Sequence, residues 1–148
     1  MRANPIAEGR RWLDQAREDL RWTEHLLGEG AYHLVCFLAQ QVAEKALKGF
    51  LYAQGEDPVT GHSVGRLGRR CGEYDASLAD AAAAWSILDS FYIPTRYPNG
   101  LPDDIPANVY DLETASRASA LAARVVREVA VRLEAGDDRA TPTEGASR

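Results

Sequence analysis

The chain has 148 residues, of which 45% are hydrophobic and 26% charged, and its formal net charge is −5 at pH 7. This size and composition are typical of one globular domain in water. No apolar run approaches the ~20 residues that a membrane-spanning helix needs, so we expect no membrane association. The acidic balance also argues against a broad electrostatic surface for nucleic acid, although it allows a local basic site.

The start of the chain and its cysteines predict a cytoplasmic location. The N-terminus is followed by a charged segment rather than the apolar core of a secretory signal. Cys36 and Cys71 lack the spacing of metal ligands. We expect both to be reduced, buried thiols, as is usual in the cytoplasm. Neither a metal site nor a cofactor is predicted.

Helical periodicity runs through nearly the whole chain, and no strand pattern competes with it. Apolar residues recur at three- and four-residue steps over residues 13–27, and Gly28 and Gly30 then end the helix. A stronger pattern covers residues 32–51 and stops at the glycine and proline of residues 55–58. Because the joint between the two segments is short, they are expected to form an antiparallel helical hairpin.

The second half predicts a short helix and two longer ones. The short third helix covers residues 63–71, with Val64, Leu67 and Cys71 directed inward. The fourth helix covers residues 76–92, and its predicted buried side, around a central Trp85, consists of Ala79, Ala83, Ile87, Ser90 and Phe91.

A long irregular stretch follows at residues 93–108, where four prolines cannot lie inside a continuing helix. The last helix, residues 109–135, carries a seven-residue repeat from Leu112 to Leu133. The sequence thus predicts an all-α, up-and-down four-helix bundle with one additional short helix over residues 1–135. Residues 136–148 are small and polar, and they are expected to form a disordered tail.

Three groups of polar residues could carry function. Gln40, Glu44 and Lys48 follow at four-residue steps, which indicates a solvated helix face plus buried glutamines hydrogen-bonded between helices, or else a subunit interface or a wall of the site. A second group, Arg66, Arg69 and Arg70, predicts a solvated face of the third helix or a phosphate contact.

The third group is the segment Gly61-His62-Ser63, just before the third helix. Ser63 or His62 can cap that helix, because a helix start has unpaired backbone donors. His62 is alternatively a catalytic imidazole, being the only histidine near a predicted loop.

Arg96 lies at the exit of the fourth helix, in a loop stiffened by Pro94 and Pro98 and beside Tyr97. A guanidinium can bind phosphate bidentately, and a tyrosine ring can stack on an exposed base. The alternative is structural: Arg96 caps helix carbonyls and Tyr97 closes the end of the bundle.

A resemblance to a known family favours the functional interpretation of Arg96. The chain resembles the HEPN domain, named for higher eukaryotic and prokaryotic nucleotide binding, over about residues 8–135. The resemblance is carried, in order, by Trp12-Leu13-x-x-Ala16-x-x-Asp19-Leu20, Gly30-x-Tyr32, Cys36-Phe37-x-x-Gln40-Gln41-x-x-Glu44-Lys45-Ala46-Leu47-Lys48, Gly61-His62-Ser63 with Leu67, and Tyr92-x-Pro94-Thr95-Arg96-Tyr97-Pro98.

The resemblance implies a homodimer in which the arginine loops of two subunits meet in a cleft. Many members are metal-independent ribonucleases, whereas others bind nucleotides or RNA or serve as assembly modules. The small stand-alone prokaryotic members, which this chain resembles, are often encoded beside a minimal nucleotidyltransferase as a toxin–antitoxin pair. The family arginine corresponds to Arg96, and Tyr97 and Asn99 of the same loop are taken as further RNA- or nucleotide-binding candidates.

The histidine that follows the family arginine has no counterpart here. The corresponding places hold Leu101, Pro102 and Asp103, and no histidine follows His62. Imidazole suits proton transfer from a 2′-hydroxyl near neutral pH, and leucine cannot replace it.

Three hypotheses follow. The first is an RNA- or nucleotide-binding protein with degraded or absent ribonuclease activity. The second is an active metal-independent ribonuclease that uses a substitute base such as His62, with Arg96. The third is a non-catalytic dimerisation module.

Overall fold

The structure is a computed structural model that describes residues 4–140, and the side chains of residues 4–135. It contains six α-helices and two 3₁₀ segments and, within residues 4–140, no strand, so the predicted all-α fold is confirmed. The elements are α1 (Pro5–Glu29), α2 (Tyr32–Ala53), α3 (Val64–Tyr74), α4 (Ala76–Trp85), a 3₁₀ segment (Ser86–Phe91), a second 3₁₀ segment (Pro98–Gly100), α5 (Pro106–Val109) and α6 (Leu112–Ala140).

The first helix shows why the bundle begins with a hairpin. Asn4 caps α1 by accepting a hydrogen bond from the Ala7 amide at 3.1 Å, and Pro5 takes the first position, where no amide is needed. Gly30 ends the helix with a φ of 82°, a conformation that glycine adopts without strain. The chain therefore reverses at once, and α1 packs along α2 as predicted.

Helix α2 is the centre of the fold, because it packs against α1, α3, α6 and the first 3₁₀ segment. Its predicted apolar stripe is buried from Val35 to Leu51. The inward residues predicted for α3 are buried as well. In α6 the predicted repeat is buried from Ala115 to Leu133, whereas its first member, Leu112, is 55% exposed.

The predicted fourth helix is wrong in its length and in its buried face. The α-helix ends at Trp85 and continues as a 3₁₀ helix from Ser86. The buried side chains are Leu78, Ala82, Trp85 and Leu88. Of the predicted set, Ala79, Ala83, Ile87 and Ser90 are exposed and Phe91 is half-buried.

The predicted irregular stretch contains two short helical pieces, the 3₁₀ turn at Pro98–Gly100 and the helix α5. The last helix begins at Leu112 and runs to Ala140, into the segment expected to be disordered. The remainder of that expected tail, residues 141–148, lies outside the described residues. Across residues 4–140, none of the helices has the length and apolar character required to cross a membrane.

Candidate functional site

Asp89, in the first 3₁₀ segment, fixes the loop that carries His62. Its carboxylate accepts hydrogen bonds from the amides of Val64 at 2.7 Å and Gly65 at 3.0 Å, and from the hydroxyl of Ser63 at 2.9 Å. The Ser63 oxygen in turn accepts from the Arg66 amide, which confirms the predicted cap of α3. Two elements far apart in sequence are thereby joined at one end of the bundle.

A buried polar row on α2 faces this loop. Gln40, Glu44 and Lys48 have relative exposures of 0%, 5% and 6%, so the predicted solvated face is wrong for Glu44 and Lys48, whereas Gln40 is buried as predicted. Gln40 Nε2 donates to the His62 carbonyl at 2.7 Å, and Lys48 Nζ donates to Glu44 Oε2 at 3.3 Å. Each member of the row thus has a hydrogen-bond partner, as burial of polar groups requires.

The His62 side chain lies over this row but remains open to solvent. Its Nδ1 is 3.2 Å from Glu44 Oε1, and the side chain is 62% exposed. The ring also stacks on Tyr92, with centroids 5.3 Å apart and an interplanar angle of 16°. His62 is therefore oriented by a carboxylate and an aromatic ring, rather than serving as the cap of α3.

The Arg96 side chain lies against three aromatic rings. Its Cζ is 4.7 Å from the ring centroid of Phe37, 4.6 Å from that of Tyr92 and 5.5 Å from that of Tyr97. Its Nε donates to the Tyr92 carbonyl at 2.7 Å. The predicted carbonyl contact is thus present, yet the residue remains exposed, and its terminal nitrogens make no hydrogen bond within residues 4–135.

Tyr92 is the residue that brings the two candidates together. The His62 centroid and the Arg96 Cζ lie 5.3 Å and 4.6 Å from the centroid of its ring, so the two groups are within about 10 Å of each other. Tyr97 is 52% exposed beside Arg96 and available for stacking.

The other loop residues lie elsewhere. Asn99 and Leu101 line a shallow depression that also contains Asp103 and Asp104, whose carboxylates would repel phosphate. In the basic group on α3, Arg66 and Arg69 are exposed, while Arg70 forms an ion pair with Glu56.

Three residues of this site had no function assigned from the sequence: Phe37, Asp89 and Tyr92. Only Tyr92 has a local signal, because a residue four places before an arginine at a helix exit can share its face. The others meet the site through tertiary packing. Within the described side chains, no group of three or more His, Cys, Asp or Glu residues could hold a metal ion.

The fold and this site define a class: a small helical bundle with an exposed, aromatic-lined arginine after the 3₁₀ segment that follows its fourth helix. The sequence profile of the HEPN domain matches residues 10–133. The chain therefore belongs to the HEPN domain family, whose members are in general related to RNA or nucleotides.

Solved structures that are similar to this chain include the following two. One is TT1696 from Thermus thermophilus, which is 38% identical with a TM-score of 0.70 and matches 83% of this chain and 96% of its own. The other is ST0689, described as an archaeal HEPN homologue, which is 32% identical with a TM-score of 0.68 and matches 85% of this chain and 98% of its own. No curated protein matches this sequence significantly.

Proposed function

We propose that this protein binds RNA or a nucleotide through Arg96 and Tyr97 and that it cleaves RNA poorly or not at all. The observation that carries the proposal is the exposed Arg96 guanidinium, held against Phe37, Tyr92 and Tyr97. Among the described side chains, only its Nε makes a hydrogen bond, to the Tyr92 carbonyl, so both terminal nitrogens are left to bind a phosphate. The exposed Tyr97 ring supplies a stacking surface for a base.

Poor cleavage follows from the residue at the family's histidine position. Leu101 has no titratable group, and losing a general acid or base typically costs ~10²–10⁴-fold in rate. The depression that Leu101 lines contains Asp103 and Asp104, which disfavour a phosphate there. Asn99 lines the same depression, so we assign it a smaller contribution to binding than Arg96 and Tyr97.

The proposed biological setting is a cytoplasmic homodimer that pairs with a minimal nucleotidyltransferase in a toxin–antitoxin-type system. Support for it comes from the resemblance to the small stand-alone prokaryotic members of the family. Size-exclusion chromatography with light scattering tests the dimer directly.

Binding is tested by fluorescence anisotropy with short single-stranded RNA and with ATP. Arg96→Ala is expected to weaken RNA binding at least tenfold, because a charge-assisted contact to phosphate is worth about 1.5–3 kcal/mol. Arg127→Ala is the matched control, since it removes an exposed arginine of α6 that is not a candidate for the site. Equal affinity of the wild type and Arg96→Ala would instead favour a pure dimerisation module.

A second candidate function is a metal-independent ribonuclease with His62 as the substitute base. One observation favours it: His62 contacts the Glu44 carboxylate and shares the Tyr92 ring with Arg96. In such a reaction His62 would take the proton from a 2′-hydroxyl and the 2′-oxygen would attack phosphorus. The bond to the 5′-oxygen would then break, and that oxygen would take a proton from solvent.

Cleavage in EDTA separates these two functions. RNA cleavage by the purified dimer that is lost in both Arg96→Ala and His62→Ala would establish the second function and overturn the first. Cleavage lost in Arg96→Ala but retained in His62→Ala would also overturn the first and would remove His62 as the base. RNA that stays intact while binding depends on Arg96 supports the first.

A further inference from the structure

Glu44 contacts His62 in a way that determines which ring nitrogen carries the proton. Its Oε1 lies 3.2 Å from His62 Nδ1. A carboxylate only accepts hydrogen bonds, so the nitrogen that it contacts has to be the donor. In the neutral imidazole the proton therefore sits on Nδ1, and Nε2 is left as an acceptor.

The surroundings of Glu44 keep the carboxylate in this role. Its side chain is 7% exposed, and its second oxygen accepts from Lys48 Nζ at 3.3 Å. Lys48 is itself buried and lies 5.8 Å from the centroid of the Trp12 ring. Since an ammonium buried without its carboxylate is costly, this pair holds Glu44 in one place on α2.

Two further contacts hold His62 in place. Gln40 fixes the backbone of His62 at the carbonyl, and Tyr92 stacks on the ring. Nε2 makes no hydrogen bond with any residue from 4 to 135, and the side chain is mostly exposed. The acceptor is thus fixed in position and open to a ligand.

We propose that Glu44 is a positioning residue which presents His62 Nε2 as a hydrogen-bond acceptor, and that this selects a ribonucleotide over a deoxyribonucleotide. A phosphate on Arg96 has no hydrogen to give to Nε2, whereas a ribose 2′-hydroxyl is a donor. His62 lies within about 10 Å of Arg96, through their shared contacts of 5.3 Å and 4.6 Å with Tyr92, so one short ligand can reach both. The ligand class rests on the proposed function, since Arg96 holds the phosphate.

The positioning role of Glu44 is tested without any ligand. Two-bond ¹H–¹⁵N spectra at alkaline pH, where neutral imidazole prevails, report the tautomer of each histidine, and His62→Ala assigns the His62 signals. The wild type is expected to show His62 protonated on Nδ1. In Glu44→Met combined with Lys48→Met, which removes acceptor and ammonium together, the signals should move toward the Nε2-protonated form. A wild-type His62 protonated on Nε2 would overturn the proposal.

The selection of a ribonucleotide is tested by comparing the binding affinity of a short single-stranded RNA with that of the 2′-deoxy oligonucleotide of the same bases. Gels confirm that both stay intact. One neutral hydrogen bond is worth about 0.5–1.5 kcal/mol, so RNA should bind about two- to tenfold more tightly. His62→Ala should bring RNA down to the affinity of the deoxy oligonucleotide.

The outcomes of this comparison are distinct. Equal binding of RNA and its deoxy counterpart by the wild type would refute the selection. Binding of neither oligonucleotide would refute the proposed function itself. The tautomer measurement would then still test whether Glu44 positions the His62 imidazole.

Discussion

Asp89 accepts a hydrogen bond from the backbone amide of Val64 at 2.7 Å, although the two residues lie 25 positions apart. Through this contact, a side chain of the first 3₁₀ segment caps the N-terminus of α3. Because the same segment leads into Tyr92 and Arg96, this cap also sets the position of the His62 loop relative to the arginine loop. A structural contact thereby assembles the candidate site.

Replacing Asp89 by alanine is expected to lower the free energy of unfolding by about 2 kcal/mol, the upper end of the range for a lost helix cap. It removes the acceptor for the Val64 and Gly65 amides and for the Ser63 hydroxyl. Urea denaturation followed by circular dichroism measures the change. Asp80→Ala on α4 is the control, because Asp80 is exposed. Equal stability of the two variants would show that the cap contributes little.

Periodicity in the sequence predicts most of the buried helix faces of the bundle. The fourth helix, whose buried face was predicted wrongly, shows where this prediction fails. Apolar steps of three and four place the buried faces of α1, α2 and α3 correctly, because those helices keep 3.6 residues per turn. The fourth helix tightens to a 3₁₀ helix at Ser86, which has about three residues per turn. The predicted face is already one residue off in the regular part of α4, where Leu78 and Ala82 are buried instead of Ala79 and Ala83, because the run from Ala81 to Ala84 makes neighbouring faces equally apolar. The error continues in the 3₁₀ segment, where Leu88 is fully buried and Ile87 is 47% exposed.

The candidate site was less accessible from the sequence, for a different reason. Glu44 and Lys48 were expected on a solvated face, since charged residues are seldom fully buried. They are buried because the His62 loop and the Trp12 side chain lie over them. Such a covering depends on contacts between distant segments, and no local pattern reports it.

Gly9 and Gly28 lie on the same helix and should respond oppositely to alanine. A Cβ added at Gly9 would lie 2.5 Å from the Gly49 carbonyl oxygen and 2.7 Å from Ala53 Cβ, whereas one at Gly28 would meet nothing within 4 Å. Gly9→Ala is expected to destabilise the protein by about 1–3 kcal/mol, because α1 must move away from α2. Gly28→Ala is expected to stabilise it by about 0.5 kcal/mol through helix propensity.

Urea denaturation curves of the two glycine variants measure these changes in stability. An unchanged midpoint for Gly9→Ala would mean that the two helices do not approach this closely at Gly49. Because both variants add the same methyl group to the same helix, a difference between them isolates the contact.

The two thiols are free and buried, as predicted. Their burial makes the free energy of unfolding depend on pH in the alkaline range. Burial, reinforced by the Asp111 carboxylate, raises the pKa of Cys36 from 9.0 to about 11. Burial also raises the pKa of Cys71 to about 12, with a further contribution from Glu56. The folded chain keeps both protons at a pH where the unfolded chain loses them. This contribution to stability is complete below pH 9 and is lost as the pH rises toward 11–12.

We therefore expect the free energy of unfolding to fall between pH 8 and about 10.5, and to fall less steeply in Cys36→Ala combined with Cys71→Ala. Urea titrations at each pH measure the slope, and the tyrosines common to both proteins cancel in the difference. A thiol-reactive dye at pH 8 should label the native wild type slowly and the urea-unfolded chain rapidly. Rapid labelling of the native protein would contradict the burial of the thiols.

Tyr92 and Phe37 provide the sharpest test of how the site works, because they differ in one contact. Both rings lie under the Arg96 guanidinium, but only Tyr92 also stacks on His62. Phe37→Leu removes one cation–π contact, worth about 0.5–1 kcal/mol at an exposed site, so RNA binding should weaken about two- to fivefold while the preference over the deoxy oligonucleotide persists. Tyr92→Leu should weaken binding and abolish that preference, since it releases both groups. If the two variants lose affinity equally and both retain the preference, His62 is positioned without Tyr92, and Glu44 alone must hold the imidazole.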